Sequence, residues 1–279
     1  MSSTLRSEIF EQPAVIERLI VEQSQNIEAI GRKLAQREVR YILIAARGSS
    51  DNAARYAQYL FGVRNRLTVA LAAPSLFGQY GSAPRLGGAL VVGISQSGQS
   101  PDIVRVLEEA RRQGAPTIAV TNEAQSPLAA AADDCIDIGA GVERSIAATK
   151  TYTAQLAALA LLSLSMAPAG EQFEALKRLP AAIAAALGAE EQARAAAARL
   201  AQAQRCVVLG RGFNYATTFE LALKLKELTY VVAEPYSSAD FQHGPIAMVE
   251  PGFPAILLAA GATMRGELAA LRDRLRERG

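Results

Sequence analysis

"YILIAARGSSDNAARYAQYLF", residues 41–61, decides the fold. A short apolar run ends at Arg47-Gly48, two serines follow, and apolar residues then recur at helical spacing. Strand, glycine turn and amphipathic helix are the opening of a parallel α/β unit. The same order returns in "RCVVLGRGFNYATTFELALKL", residues 205–225, where Arg211-Gly212 stands 164 residues beyond Arg47-Gly48 (211 − 47 = 164). Repetition on that scale suggests two copies of one fold.

Working outward, "LTVALA" (67–72), "ALVVGI" (89–94), "TIAV" (117–120) and "CIDIG" (135–139) read as further buried strands. They are short, rich in Val, Ile and Leu, and bounded by turn formers. The segments between them read as helices, so the strands are joined by right-handed crossovers into parallel sheets covered on both faces. The spacing predicts an amphipathic helix pair over about 13–39, a long helix over 149–166 and an Ala-rich helical stretch over 171–203. The expected layout is an N-terminal helical segment (1–39), a first doubly wound subdomain (40–166), a helical linker (167–203) and a second subdomain (204–279). Only about three strands are laid down after residue 204, so the second copy reads as incomplete, with unpaired edge groups.

Half of the 279 residues are apolar, a fifth are charged, and 29 Lys and Arg face 27 Asp and Glu, for a net charge of +2. That balance speaks against nucleic-acid or membrane-surface binding, which would show a basic stripe. Charges break the N-terminus, unlike a secretory signal, and polar residues interrupt every apolar run short of a membrane span. Cys135 and Cys206 form no CxxC, and a single histidine leaves no metal-ligand cluster. Reduced, buried thiols in a cytoplasmic protein are the expectation.

Two loops carry candidate binding chemistry. In "VVGISQSGQSPDIVRVLEEA" (91–110) a strand ends at Ile94, and Ser100 and Pro101 occupy the N-cap and first position of the next helix. Free backbone N–H groups and the positive end of the helix dipole then face the loop, where Ser95, Gln96, Ser97 and Ser100 add side-chain donors. Capping alone requires fewer. The loop is neither a Walker motif nor a dinucleotide fingerprint, and it lies where open α/β sheets bind ligands, so it points to a phosphate. "ARGSSDNAARY" (46–56) repeats the arrangement with Ser49 and Ser50.

A different chemistry is written in "LALKLKELTYVVAEPYSSADFQHGP" (221–245). Lys224 and Glu227 are three apart on one helical face, and on their own they would make an ordinary ion pair. His243 is the single histidine, the one side chain that titrates unaided near neutrality, and Gly244-Pro245 follows it directly.

"EIFEQP", "RGSS", "GISQSGQSPDIVRVLEEA", "ERSIAATKTYTAQLAALALL" and "ALKLKELTYVVAEPYSSADFQHGPIAMV" occur in this order. Together they resemble the sugar isomerase (SIS) family, in particular the isomerase half of the glutamine–fructose-6-phosphate aminotransferases, over essentially the whole chain. The resemblance implies two doubly wound subdomains and a homodimer with shared active sites. It implies that Ser95, Gln96, Ser97 and Ser100, with Ser49 and Ser50, hold a sugar phosphate, and that Ile146 and Ala148 also meet the substrate. Glu227 would move a proton between C1 and C2, Lys224 would assist at the hydroxyl, and His243 would open the sugar ring, serving a neighbouring subunit's site.

Three departures shape the functional expectation. No glutaminase half precedes "EIFEQP", Ala148 stands where the aminotransferases carry a substrate-contacting serine, and the family's C-terminal tail with its Schiff-base lysine is not in these 279 residues. The reading they favour is an amino-sugar phosphate deaminase/isomerase, interconverting glucosamine 6-phosphate and fructose 6-phosphate by protonation, enolisation and imine chemistry that requires no metal or organic cofactor. The rivals are another ketosamine or phosphosugar isomerase and a non-catalytic sugar-phosphate sensor.

Overall fold

In the computed structural model, which describes residues 3–167 and 171–278, the chain divides into two compact units, Met1–Gly188 and Ala189–Gly279. The first opens on α1 (Thr4–Ala35) and continues through β1 (Tyr41–Ala45), α2 (Ser49–Asn65), β2 (Thr68–Leu71) and α3 (Pro74–Phe77). Next come β3 (Ala89–Ser95), α4 (Pro101–Arg112), β4 (Thr117–Thr121), α5 (Pro127–Ala131), β5 (Asp134–Asp137) and α6 (Lys150–Ser165). Two short helices, α7 (Glu171–Lys177) and α8 (Leu179–Leu187), complete the unit. Its five strands are all parallel in the order β2-β1-β3-β4-β5.

Period-two alternation gives each strand two apolar faces. Ile42, Ile44, Val92 and Ile94 pack against α1, α2 and α6, whereas Leu43, Ala45 and Val91 meet Ile103 and Leu107 of α4. The helices approach closely through small residues. A Cβ added to Gly93 would lie 2.7 Å from a Leu107 methyl, and one added to Gly31 of α1 would lie 2.4 Å from the Ser165 carbonyl oxygen of α6.

The N-terminal helix pair expected over 13–39 is a single 32-residue helix that begins well before Pro13 and runs through it. Proline in a helix interior leaves the carbonyl four residues back without its donor. Here that carbonyl belongs to Ile9, and the Gln12 side-chain amide donates to it at 2.8 Å. The helix face beyond, including Val15, Ile16, Leu19, Ile27 and Ile30, is buried, so packing carries the helix through a breaker.

The second unit contains α9 (Glu190–Leu200), β6 (Arg205–Gly210), α10 (Phe213–Thr229), β7 (Val232–Ser237), α11 (Ser238–Gln242), a 3-10 turn at Pro245–Met248, β8 (Ala255–Leu257) and α12 (Arg265–Arg278). Its three parallel strands run in the order β7-β6-β8. Val207 and Leu209 pack with Phe241, Leu271 and Leu275 on one face, and Cys206 and Val208 with Ala222 and Ala233 on the other.

The offset of 164 holds residue by residue. It carries α2 (49–65) onto α10 (213–229), the start of β2 (68) onto that of β7 (232), and the start of α4 (101) onto that of α12 (265). Gly48 has φ +56 and ψ −132, and Gly212 has φ +62 and ψ −134, a backbone that disfavours any Cβ. The two helices also end alike, at Arg66 (φ +59) and Tyr230 (φ +60) in the left-handed region.

Cys206 is buried as expected, but Cys135 is only half-buried, because β5 is an edge strand. Burial and the nearby Asp137 carboxylate push the Cys135 thiol up to about 11. Among the described residues no helix is long and apolar enough to cross a membrane.

Candidate active site

The carboxyl ends of β1 and β3 open onto a cavity of about 210 Å³ in the first unit. The turn after β1 contributes Arg47, Ser49 and Ser50, and the turn after β3 contributes Ser95, Gln96, Ser97 and Ser100. A third wall, distant in sequence from both loops, comes from Ala148 and from Thr151, Tyr152 and Gln155 on α6. The N-termini of α2, α4 and α6 therefore all meet at this space, and the positive ends of the α2 and α4 dipoles favour an anion, whereas that of α6 already faces the Glu143 carboxylate.

The hydroxyls are arranged as donors. Ser95 Oγ accepts the Gly98 N–H at 3.2 Å, and Ser97 Oγ accepts the Gln99 N–H at 3.3 Å. Ser50 Oγ accepts from Gln155 Nε2 at 3.0 Å. Among the described residues none of these three hydroxyls donates to the protein, which leaves each proton for whatever fills the cavity. Ser100 occupies the N-cap of α4, but its side chain makes no capping hydrogen bond. Gly98, with φ +62, lets the loop turn against Ser126, whose Oγ would lie 2.1 Å from an added Cβ. The one cationic lining residue, Arg47, is held at the rim by Asp102 at 2.6 Å.

Carboxylates fasten the third wall. Glu143 accepts the Thr149 N–H at 2.8 Å, the Thr149 hydroxyl at 3.0 Å and the Thr151 hydroxyl, and it receives Gln96 Nε2 at 3.4 Å. Glu8 of α1, 4% exposed, accepts the backbone N–H groups of Arg144 (2.6 Å) and Ser145 (3.1 Å). Glu11 pairs with the buried Lys150 at 2.6 Å. The two glutamates of "EIFEQP" thus tie the first helix to the strand-to-helix loop beside the cavity.

In the second unit, Lys224 Nζ lies 2.7 Å from Glu227 and 3.4 Å from Glu220. The Lys224 and Glu220 side chains are 17% and 9% exposed, and Glu227 is 29% exposed. This is not the solvated ion pair that an i,i+3 spacing alone suggests. Lys224 bridges a buried carboxylate one turn back and an accessible one a turn ahead, which fixes its ammonium beside Glu227. His243 terminates α11, donates its backbone N–H to Asp240 at 3.0 Å and exposes its ring, with Gly244 (φ +131) and Pro245 setting the chain direction after it.

The structure therefore brings Ser49, Ser50, Ser95, Gln96, Ser97, Ser100 and Ala148 to one cavity. It leaves Ile146 outside, 90% exposed. Sequence reasoning missed Arg47, which adjoins the serines it did find, and Glu220, which shares the helical face of Lys224 and Glu227 at i, i+4 and i+7. It also missed Thr151, Tyr152 and Gln155, which only the packing of α6 brings to the cavity. Among the described residues no group of three or more His, Cys, Asp or Glu could hold a metal ion.

The SIS domain pattern matches residues 35–165 and 199–279. The glutamine–fructose-6-phosphate aminotransferase (isomerizing) of Bordetella parapertussis is 36% identical over 292 aligned residues, which cover 99% of this chain and 47% of that enzyme. The chain thus spans about half the length of the curated relatives it matches. The C-terminal domain of the glucosamine-fructose-6-phosphate aminotransferase from Francisella tularensis superposes with a TM-score of 0.92 at 28% identity, covering 100% of this chain and 82% of that one. Glucosamine-6-phosphate deaminase from Thermotoga maritima shares the fold, with a TM-score of 0.78 at 23% identity over 99% of this chain and 86% of that one.

Proposed function

The chain belongs to the SIS domain family, and on that premise we propose that it is an amino-sugar phosphate deaminase/isomerase. The observation that carries this reading is Lys224 beside Glu227 at 2.7 Å on α10. A sugar-phosphate sensor needs the serine cavity alone, whereas an enolisation needs an accessible carboxylate base with a cation beside it.

The substrate phosphate binds in the cavity of the first unit through the hydroxyls of Ser50, Ser95 and Ser97 and the helix N-termini behind them. His243 opens the pyranose by moving a proton between the anomeric hydroxyl and the ring oxygen. Glu227 then removes the proton from C2 of the open-chain 2-amino aldose and returns it to C1, while Lys224 stabilises the negative charge that develops on the substrate oxygen. The product of that transfer is a 2-imino ketose phosphate. Water adds to its C=N bond and ammonia leaves, so the balance is one amino-sugar phosphate and one water for one ketose phosphate and one ammonia. Run backwards with ammonia, the same steps make the amino sugar. A homodimer with shared sites belongs to this proposal, with His243 serving the neighbouring subunit.

The test is an assay of ammonia release and ketose formation across hexosamine and hexose 6-phosphates. Stoichiometric ammonia and ketose from glucosamine 6-phosphate supports the reading. Isomerisation of a neutral aldose phosphate without ammonia would transfer the chain to the phosphosugar isomerases, and binding without any turnover would make it a sensor.

A further inference from the structure

Gln155 stands apart among the residues of the cavity. It lies on the second turn of α6, only 1% exposed, and its side-chain oxygen Oε1 has no hydrogen-bond partner. A buried amide atom left unpaired is destabilising, and an apolar side chain of similar size would leave none. The neighbours of Gln155 in "AQLAALALL" are of that apolar kind. Packing does not account for an amide here.

The hydrogen bond that its nitrogen makes suggests what does. Gln155 Nε2 donates to Ser50 Oγ at 3.0 Å, and Ser50 is itself 8% exposed. Ser95 and Ser97 already owe their donor orientation to backbone N–H groups, those of Gly98 and Gln99. Ser50, in the first turn of α2, accepts no backbone N–H from its own loop, so a side chain from α6 stands in for one. An N–H that fills a lone pair of Ser50 turns its single proton away from α6 and toward the cavity.

We propose that Gln155 is a positioning residue of the anion site, acting through Ser50 by fixing that hydroxyl as a donor to a bound phosphoryl group. The proposal rests on the reading of the cavity as a phosphate site. It makes three equivalent hydroxyl donors, two set by the β3–α4 loop and one by α6, and it ties phosphate affinity to a side chain that the ligand does not touch. A carboxylate at the same place would do the reverse, because it only accepts: it would take the Ser50 proton and set a negative charge behind the anion.

The experiment is a titration of inorganic phosphate against the full chain, by calorimetry or phosphorus NMR, with melting temperatures as the folding control. Gln155→Leu should weaken phosphate by about tenfold, the loss of roughly one hydrogen bond to a charged group. Ser50→Ala should lose a similar factor, and the double variant should be no weaker than Ser50→Ala, since the second residue works through the first. Combined with Ser95→Ala, by contrast, the Gln155→Leu loss should multiply. Gln155→Glu should bind worst near neutral pH and recover relative to the native chain as the pH is lowered and its carboxyl takes up a proton. If Leu does not pack, Gln155→Met carries the same comparison. Undiminished affinity in Gln155→Leu, or independent losses in the Ser50 double variant, overturns the role of Gln155. Failure of the native chain itself to bind phosphate overturns the reading of the cavity instead.

Discussion

Residues 47–65 and 211–229 trace one backbone twice: an arginine, a glycine at φ +56 or +62, and a helix that ends in the left-handed region. The surroundings of these turns differ. After β3 the chain reads Ser95-Gln96-Ser97-Gly98-Gln99-Ser100, and at the offset of 164 it reads Ala259-Ala260-Gly261-Ala262-Thr263-Met264. The second turn closes on itself. Asn214, the counterpart of Ser50, donates to the Ala260 carbonyl at 2.9 Å, and Glu267 takes both Arg211 at 2.8 Å and the Ser238 hydroxyl at 2.5 Å. On the helix face the contrast is reversed. Tyr56, Leu60 and Val63 of α2 stand where α10 carries Glu220, Lys224 and Glu227. Sheet order and turn geometry come from apolar alternation and a glycine, which both copies kept. The chemistry comes from a few side chains that each copy could change without disturbing the sheet.

The division of anion binding and proton chemistry that we propose between the two copies can be broken deliberately. The largest effect is expected for Glu227→Gln. Turnover should fall by about 10²–10⁴-fold while phosphate affinity stays unchanged, as measured by steady-state kinetics beside calorimetry. A parallel loss of affinity would erase the division. Ser95→Ala should do the opposite, weakening phosphate by roughly ten- to hundredfold, whereas Thr263→Ala in the matching loop should leave affinity as it was.

Gly48→Ala and Gly212→Ala sharpen the backbone half of the comparison. An added Cβ meets nothing within 4 Å at Gly48, and at Gly212 only Met264 at 3.8 Å, so the penalty in both is the positive φ. Each variant should lose about 1–3 kcal/mol of stability by denaturant unfolding, and only Gly48→Ala should also weaken phosphate.

The smallest effect concerns the two thiols, one in each unit. Burial raises both, Cys135 to about 11 with Asp137 assisting, so the protonated form is the one the fold prefers. Between the ordinary thiol value of about 9 and the folded one, the unfolded chain holds fewer protons. Stability should therefore fall as the pH rises through that window, and be insensitive to these groups below it. Alkylation at pH 7.5 should be slow for both thiols in the native protein and fast in denaturant. Rapid native labelling of Cys135 would contradict the raised thiol assigned to it.

Much of this architecture is legible in the order of residues alone. Arg-Gly at an interval of 164 is visible in the sequence, and with it the paired turns and the succession of strands. The serine loops are equally local, since a strand end, hydroxyls and a helix start lie within a dozen residues. What is not local stayed hidden. Pro13 looks like a helix start because the side chain that replaces its donor, Gln12, signals nothing by itself. Gln155 acquires meaning only from Ser50, 105 residues away, across a packed helix pair. Ile146, a site candidate from its place in "ERSIAATK", has a side chain that faces solvent.

The tether formed by α1 has a consequence for how the protein is made. The helix leaves the ribosome well before the groups that satisfy it: Cys135 and Gly139 for Asn26 and Arg18, Arg144 and Ser145 for Glu8, and Lys150 for Glu11, 139 residues further on. At roughly 5–20 residues per second, α1 waits on the order of 7–28 s with its apolar stripe of Val15, Ile16, Leu19 and Ile27 uncovered. During translation α1 therefore precedes its partners by that interval, and its uncovered stripe is a target for a chaperone that holds nascent chains.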